Sequence, residues 1–152
     1  MGEIELPLDS QGFLRRECPI CGREFKWHHG PTEGVPVDET PPESYYCPYC
    51  GEPSPADEWW TREQVEAIQQ TALREAMPQL EHELREAVKP LNRSGFLKAD
   101  VKGSPVNPPS PLFEPDDMTA VASPCHPYEP VKISSVWPEP LHCLVCGARY
   151  VV

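Results

Sequence analysis

Hydrophobic and polar positions change their period several times along the chain. Phe25-Lys26-Trp27 and Ser44-Tyr45-Tyr46 are short aromatic runs that favour strands. Between them Gly30-Pro31, Val35-Pro36-Val37 and Thr40-Pro41-Pro42 predict an irregular loop joining two hairpins. After Trp59-Trp60 the period becomes helical. Apolar residues recur at Val65, Ile68, Ala72, Leu73, Met77, Leu80, Leu84, Ala87 and Leu91, which places them on one stripe with a near-heptad, coiled-coil-like rhythm from Leu73. Thr61 and Gln64 read as a capping box, and Ser94-Gly95 as the stop. Unbroken, such a helix over 62–93 spans about 45 Å at about 1.5 Å per residue, but Pro78 predicts a kink or a division into two helices.

Beyond Gly95 the pattern turns to alternation. Leu97, Ala99 and Val101 alternate with Lys98, Asp100 and Lys102, which predicts a strand. A proline-rich connector from Gly103 to Pro115 predicts an extended, stiff spacer. Met118 to Ser123, Val131-Lys132-Ile133 and Arg149 to Val152 read as further strands.

Composition limits what these elements can build. A chain of 152 residues holds one or two small domains, and 39% hydrophobic residues with 21 prolines leave little for a single large core. Units this small usually depend on metal or disulfides, and the seven cysteines supply either. The odd count argues against disulfides. Met1 to Leu6 carries no apolar signal segment behind basic residues, and no stretch is long and apolar enough to span a bilayer. The expectation is therefore a soluble, cytoplasmic protein, not attached to a membrane, in a reducing compartment where thiolates take up metal. A net charge of −11 disfavours wrapping nucleic acid by phosphate neutralisation.

The cysteines fall into knuckles. Cys18-Pro19-Ile20-Cys21-Gly22 and Cys47-Pro48-Tyr49-Cys50-Gly51 each present two sulfurs from one side of a turn, so the pair closes around one ion through Cys18, Cys21, Cys47 and Cys50. A third knuckle, Cys143-Leu144-Val145-Cys146-Gly147, combines with Cys125 to give three ligands of a second site. A closed site needs a fourth. His126 is the first candidate although adjacent ligands tend to point apart, with His142 the runner-up and Glu129 a further alternative. His28 and His29 read as a polar surface pair beside a site already full. Phe25, Trp27, Tyr45 and Tyr46 read as the roof of the metal and a small core. Two Zn²⁺ ions are expected, with iron in the first site as the alternative.

The paired Cys-Pro-x-Cys-Gly knuckles resemble the zinc-ribbon and rubredoxin-like group of metal proteins over roughly the first third of the chain, and Cys143 to Gly147 looks like a half-degenerate second version. The resemblance implies paired knuckles on hairpins. Proteins of the group bind nucleic acid, hold subunits together or carry electrons, so the fold alone leaves function open. The expected architecture is a small metal-stabilised α+β chain: a zinc ribbon over 1–56, an amphipathic helical segment over 57–94, and a β-rich unit with the connector and second zinc site over 95–152.

Three functions follow. The first is a non-catalytic zinc protein that binds a protein partner, or itself, through helix 62–93. The second is nucleic-acid binding by Arg15, Arg16, Arg23 and Lys26 interleaved with Phe25 and Trp27. The third is a rubredoxin-like electron carrier. No phosphate loop or nucleophile motif points to an enzyme.

Overall fold

The computed structural model describes residues 4–28, 34–36, 38, 40–103 and 105–152. Its elements are β1 (Phe13–Glu17), β2 (Glu24–His28), β3 (Ser44–Tyr46), β4 (Pro53–Pro55), α1 (Arg62–Arg93), β5 (Thr119–Val121), β6 (Val131–Ile133), β7 (Leu141–His142) and β8 (Arg149–Tyr150). The α+β class expected from the sequence is the class observed. His29, Gly30, Pro31 and Val37 of the sequence reading lie outside the described residues.

Three antiparallel hairpins, β1–β2, β3–β4 and β7–β8, carry the three knuckles at their turns. The division at 56 and 94 into separate N- and C-terminal metal units needs correction. One compact unit comprises Leu6–Arg62 together with Leu112–Val152, and a second contains Glu63–Pro111. The reason is backbone pairing. The open edge of β2 takes β6 as its partner, with Lys26 opposite Lys132 and Trp27 opposite Val131, which produces a four-stranded sheet in the order β1-β2-β6-β5. An isolated hairpin leaves that edge unpaired and is marginal in water.

The two faces of this sheet differ sharply. One contributes Phe25, Val131 and Ile133 to a core shared with Cys18, Cys47, Tyr49, Trp59, Leu141 and Leu144. Phe25 and Trp59 pack edge to face at 5.6 Å, and Trp27 lies 5.0 Å from Tyr45. Tyr49, inside the second knuckle, donates its hydroxyl to the Glu24 carbonyl at 2.9 Å and accepts the Ser134 amide at 3.0 Å. That side chain ties the first hairpin to the strand from the far end of the chain.

The opposite face carries a row of cations. Register places Arg15 beside Lys26 and Lys26 beside Lys132. Like charges side by side on a sheet repel, so the row persists because carboxylates cover it. Asp9 lies 3.2 Å from Lys26 Nζ and 2.6 Å from Lys132 Nζ, and Glu114 lies 2.9 Å from both Lys26 and Arg15. Asp117 pairs with Arg15 at 2.7 Å and with Lys26 at 3.2 Å. The side chains of Lys26 and Asp9 are wholly buried.

In the second unit α1 runs as one helix through Pro78 and Pro90, so the division into two helices is not observed. Each proline deletes one backbone donor, while the other turns of a 32-residue helix keep their bonds. The helix stops where expected, before Gly95 in the left-handed conformation. The strand expected over Leu97–Lys102 is absent. Alternation alone makes no strand without a partner edge. Instead the side chain of Asn92 both donates to the Ala99 carbonyl and accepts its amide, each at 2.8 Å. Further on, Gly103 lies so close to Glu81 that a β-carbon there would meet the carboxylate. The segment thus turns back along its own helix. The apolar stripe stays outside this covering: Leu73, Leu80, Leu84 and Leu91 are each 47–50% exposed.

Candidate metal centres

Each knuckle is built by the same bonds. The amide of the first cysteine donates to the residue after the glycine (Cys18 to Arg23, Cys47 to Glu52, Cys143 to Ala148), and the glycine amide returns to the cysteine carbonyl. Gly22, Gly51 and Gly147 take positive φ. This curls the backbone so that amides point at sulfur: those of Ile20 and Cys21 each lie 3.4 Å from Cys18 Sγ.

The first and second knuckles bring Cys18, Cys21, Cys47 and Cys50 together, with all four ligand atoms within 4.8 Å of one another. Cys18 Sγ to Cys50 Sγ and Cys21 Sγ to Cys47 Sγ are both 3.8 Å. A tetrahedron with metal–sulfur bonds of about 2.3 Å has edges of about 3.8 Å, whereas a disulfide brings sulfurs to about 2.05 Å. All seven cysteines are free thiols. Burial above all, reinforced by the sulfurs of Cys18 and Cys21, pushes the Cys47 thiol far up. Four thiolates gathered in this setting therefore call for a cation.

The second group comprises Cys125, His126, Cys143 and Cys146. Cys125 Sγ lies 3.4 Å from Cys146 Sγ, and His126 Nδ1 lies 3.3 Å from Cys143 Sγ. Adjacent Cys125 and His126 both reach the centre because the chain turns tightly there. Ser123 Oγ accepts the His126 amide at 3.2 Å, and the Glu129 amide returns to the His126 carbonyl at 3.1 Å. Ser123 was not legible as part of the site. Its hydroxyl is 3.1 Å from Cys143 Sγ, a hydrogen bond that stabilises thiolate charge. The first group has buried Cys18 and Cys47, whereas the second leaves Cys125 and Cys146 exposed. Burial and the neighbouring sulfurs of Cys125 and Cys143 push the Cys146 thiol up to about 11.

His142 and Glu129 are not in the second group. His142 packs instead against the second knuckle, its ring where a β-carbon on Gly51 would sit. Tyr46 does the same to Gly147 of the third knuckle. The backbone repeats this reciprocity: the Tyr46 amide donates to the Leu144 carbonyl and the His142 amide to the Pro48 carbonyl, both at 2.9 Å. The residue before each knuckle thus bonds to and covers the other knuckle, a local two-fold that joins the two centres. His28 stands in β2 edge-on to Phe13, outside both groups.

This packing separates glycines of similar conformation. Gly22 has φ of 71° with open space around its missing side chain, while a β-carbon on Gly147 (φ 73°) would lie 2.6 Å from the Tyr46 ring. Both alanine variants bear the left-handed strain, about 1 kcal/mol. Gly147→Ala is expected to lose a further 1 to 3 kcal/mol, roughly, through overpacking. Denaturant midpoints of the two variants measure the difference, and equal midpoints would remove the interlock from the account.

Among the described residues no helix is long and apolar enough to cross a membrane. No family model matches the chain, and no curated protein or solved structure matches it.

Proposed function

We propose that the protein is a non-catalytic zinc protein whose two closed, four-ligand centres brace an interaction module, and that α1 carries the docking surface for a protein partner or a second copy. A Cys₄ set and a Cys₃His set are donor combinations of structural zinc, and filling all four positions leaves no open one for a reacting water. The observation that carries the reading is the exposed apolar stripe. Leu73, Leu80, Leu84 and Leu91 lie outward in near-heptad order, and Val65 and Ile68 of the same stripe are exposed as well.

The nucleic-acid alternative is the weaker reading, since two of the four basic residues that suggested it, Arg15 and Lys26, already pair with carboxylates. Arg23 lies over the Trp137 ring, and Arg16 over Trp27 and Trp60.

Metal analysis is expected to find two zinc ions per chain. Sedimentation should show either a species heavier than one 17.1 kDa chain or a specific partner recovered with it. The double variant Leu80→Glu/Leu84→Glu should weaken that association at least tenfold, about 1.4 kcal/mol. A wild-type chain that stays monomeric at every concentration and retains nothing that the double variant fails to retain would refute the docking role.

A further inference from the structure

One cavity of the zinc-bearing unit has the build of a ligand site. It encloses about 550 Å³, within the range of small-molecule pockets. Its walls include Trp27, Tyr45, Tyr128, Pro42 and Leu144, and Arg16 also lines it. Arg16 is only 9% exposed. Its guanidinium is stacked 4.4 Å from the Trp27 ring and 4.9 Å from that of Trp60. Nε is buried and has no hydrogen-bond partner, and no carboxylate among the described residues pairs with the group. The neighbouring Arg15, by contrast, has three acids. In a chain with 24 acidic residues and 13 lysines and arginines, this buried cation has no acid partner among the described residues and stands at a cavity with aromatic walls. Burial lowers the Arg16 pKa only to about 10, so the group stays charged at neutral pH.

We propose that this cavity binds a small molecule with one oxyanion group on a flat, apolar body, the oxyanion pairing with Arg16 and the body lying against Trp27 and Tyr45. A guanidinium fixed on aromatic faces is preorganised and presents its planar fork of donors to a carboxylate or a phosphate. Aromatic and proline walls favour a planar partner. Glu129 on the same lining adds to burial in raising the Tyr45 pKa. Its negative charge selects against ligands with several anionic groups.

The test uses the full-length, metal-loaded chain. Indole-3-acetate and adenosine monophosphate serve as carboxylate and phosphate probes, with indole-3-acetamide and adenosine as their uncharged counterparts. Binding is followed by tryptophan fluorescence and by the NMR resonance of the Arg16 Nε–H. At least one anionic probe should bind saturably, shift that resonance and exceed its uncharged counterpart at least tenfold; which one does so identifies the oxyanion. Adenosine triphosphate should bind less tightly than the monophosphate. Arg16→Gln should weaken binding at least tenfold, with Arg16→Lys retaining part of it. Tyr128→Ala, a change in the cavity wall away from the strands, should weaken binding several-fold and stands as the check if Arg16→Gln loses its metal. No saturable binding of either anion at millimolar concentration, equal binding of the uncharged counterparts, or unchanged binding in Tyr128→Ala and a folded Arg16→Gln would overturn the proposal.

Discussion

Cys143→Ala is expected to release the metal of both centres, although Cys143 belongs to only one of the two ligand groups. Structural zinc in small peptides contributes about 10 to 16 kcal/mol of apparent free energy at neutral pH. A small domain has a net stability of about 5 to 15 kcal/mol, so the loss of one ion exceeds what the rest can carry. The damage spreads because the centres share a core and an interlock. Cys47, Leu141 and Leu144 belong to one cluster, and Tyr46 and His142 each bond to the opposite knuckle. The expected result is near-zero bound metal per chain and loss of the near-ultraviolet circular dichroism of the buried Trp59. Cys125→Ser, which removes an exposed ligand and opens no hole in the core, should move both readouts in the same direction. Retention of one full equivalent of metal with the Trp59 signal intact would show instead that the centres fold independently.

Asp9→Ala is expected to cost about 3 to 5 kcal/mol, the usual penalty for leaving buried charge unpaired. Asp9 is the shared acceptor for Lys26 and Lys132, whose side chains are 0% and 3% exposed. It also accepts the amides of Gln11 and Phe13, both at 3.0 Å. Burial alone pushes this carboxyl upward, but the bonds from Lys132, Phe13, Gln11 and Lys26 outweigh it and hold the group well below the usual carboxylate range. The sign of the linkage follows. A depressed folded-state pKa contributes stability that is complete above the unfolded value, about 3.9, and disappears as pH falls through the folded value. Lys26 is shifted the other way: burial opposes its charge, but Glu114 and Asp117 foremost raise its pKa. Its contribution is present below the unfolded value of about 10.4 and fades as pH rises through the folded value. Denaturation curves for wild type and Asp9→Ala should differ most between about pH 5 and 10 and converge in strong acid. Subtracting the two also removes the separate effect of acid on the metal ligands, which both proteins share. A gap that stays constant down to pH 2 would contradict this role for Asp9.

What the sequence made legible was local. Each knuckle is a five-residue pattern whose glycine and flanking aromatics specify a hairpin, and the capping residues and stop signal placed α1 to within a residue or two. The ligand groups followed because four donors must converge on one ion. Pairings across the chain were hidden. Asp9 and Lys132 lie 123 positions apart, and nothing in either neighbourhood announces the other. Lys26, interleaved with Phe25 and Trp27 beside Arg15, Arg16 and Arg23, suggests a nucleic-acid face; the structure shows both faces of that strand covered, one by oil and one by acid. Residues 97–102 show the converse error, a pattern suited to a strand with no edge to join. Tyr46 and His142 could be placed beside their knuckles, but that each would cap the other's glycine depends on a two-fold relation that period and spacing do not encode.

The reciprocal bond from Tyr46 to Leu144 has a consequence for synthesis on the ribosome. The second knuckle leaves the exit tunnel long before the third, since Cys143 lies 96 positions after Cys47. At about 5 to 20 residues per second that interval lasts roughly 5 to 20 s. During it the nascent N-terminal thiols can gather an ion but lack β6 and the third hairpin, the pieces that close their surroundings. Closure around the first group therefore waits for β6 and the third hairpin, and a translational pause anywhere between Arg62 and Leu112 would lengthen the time those sulfurs stay open to oxidants and competing ions.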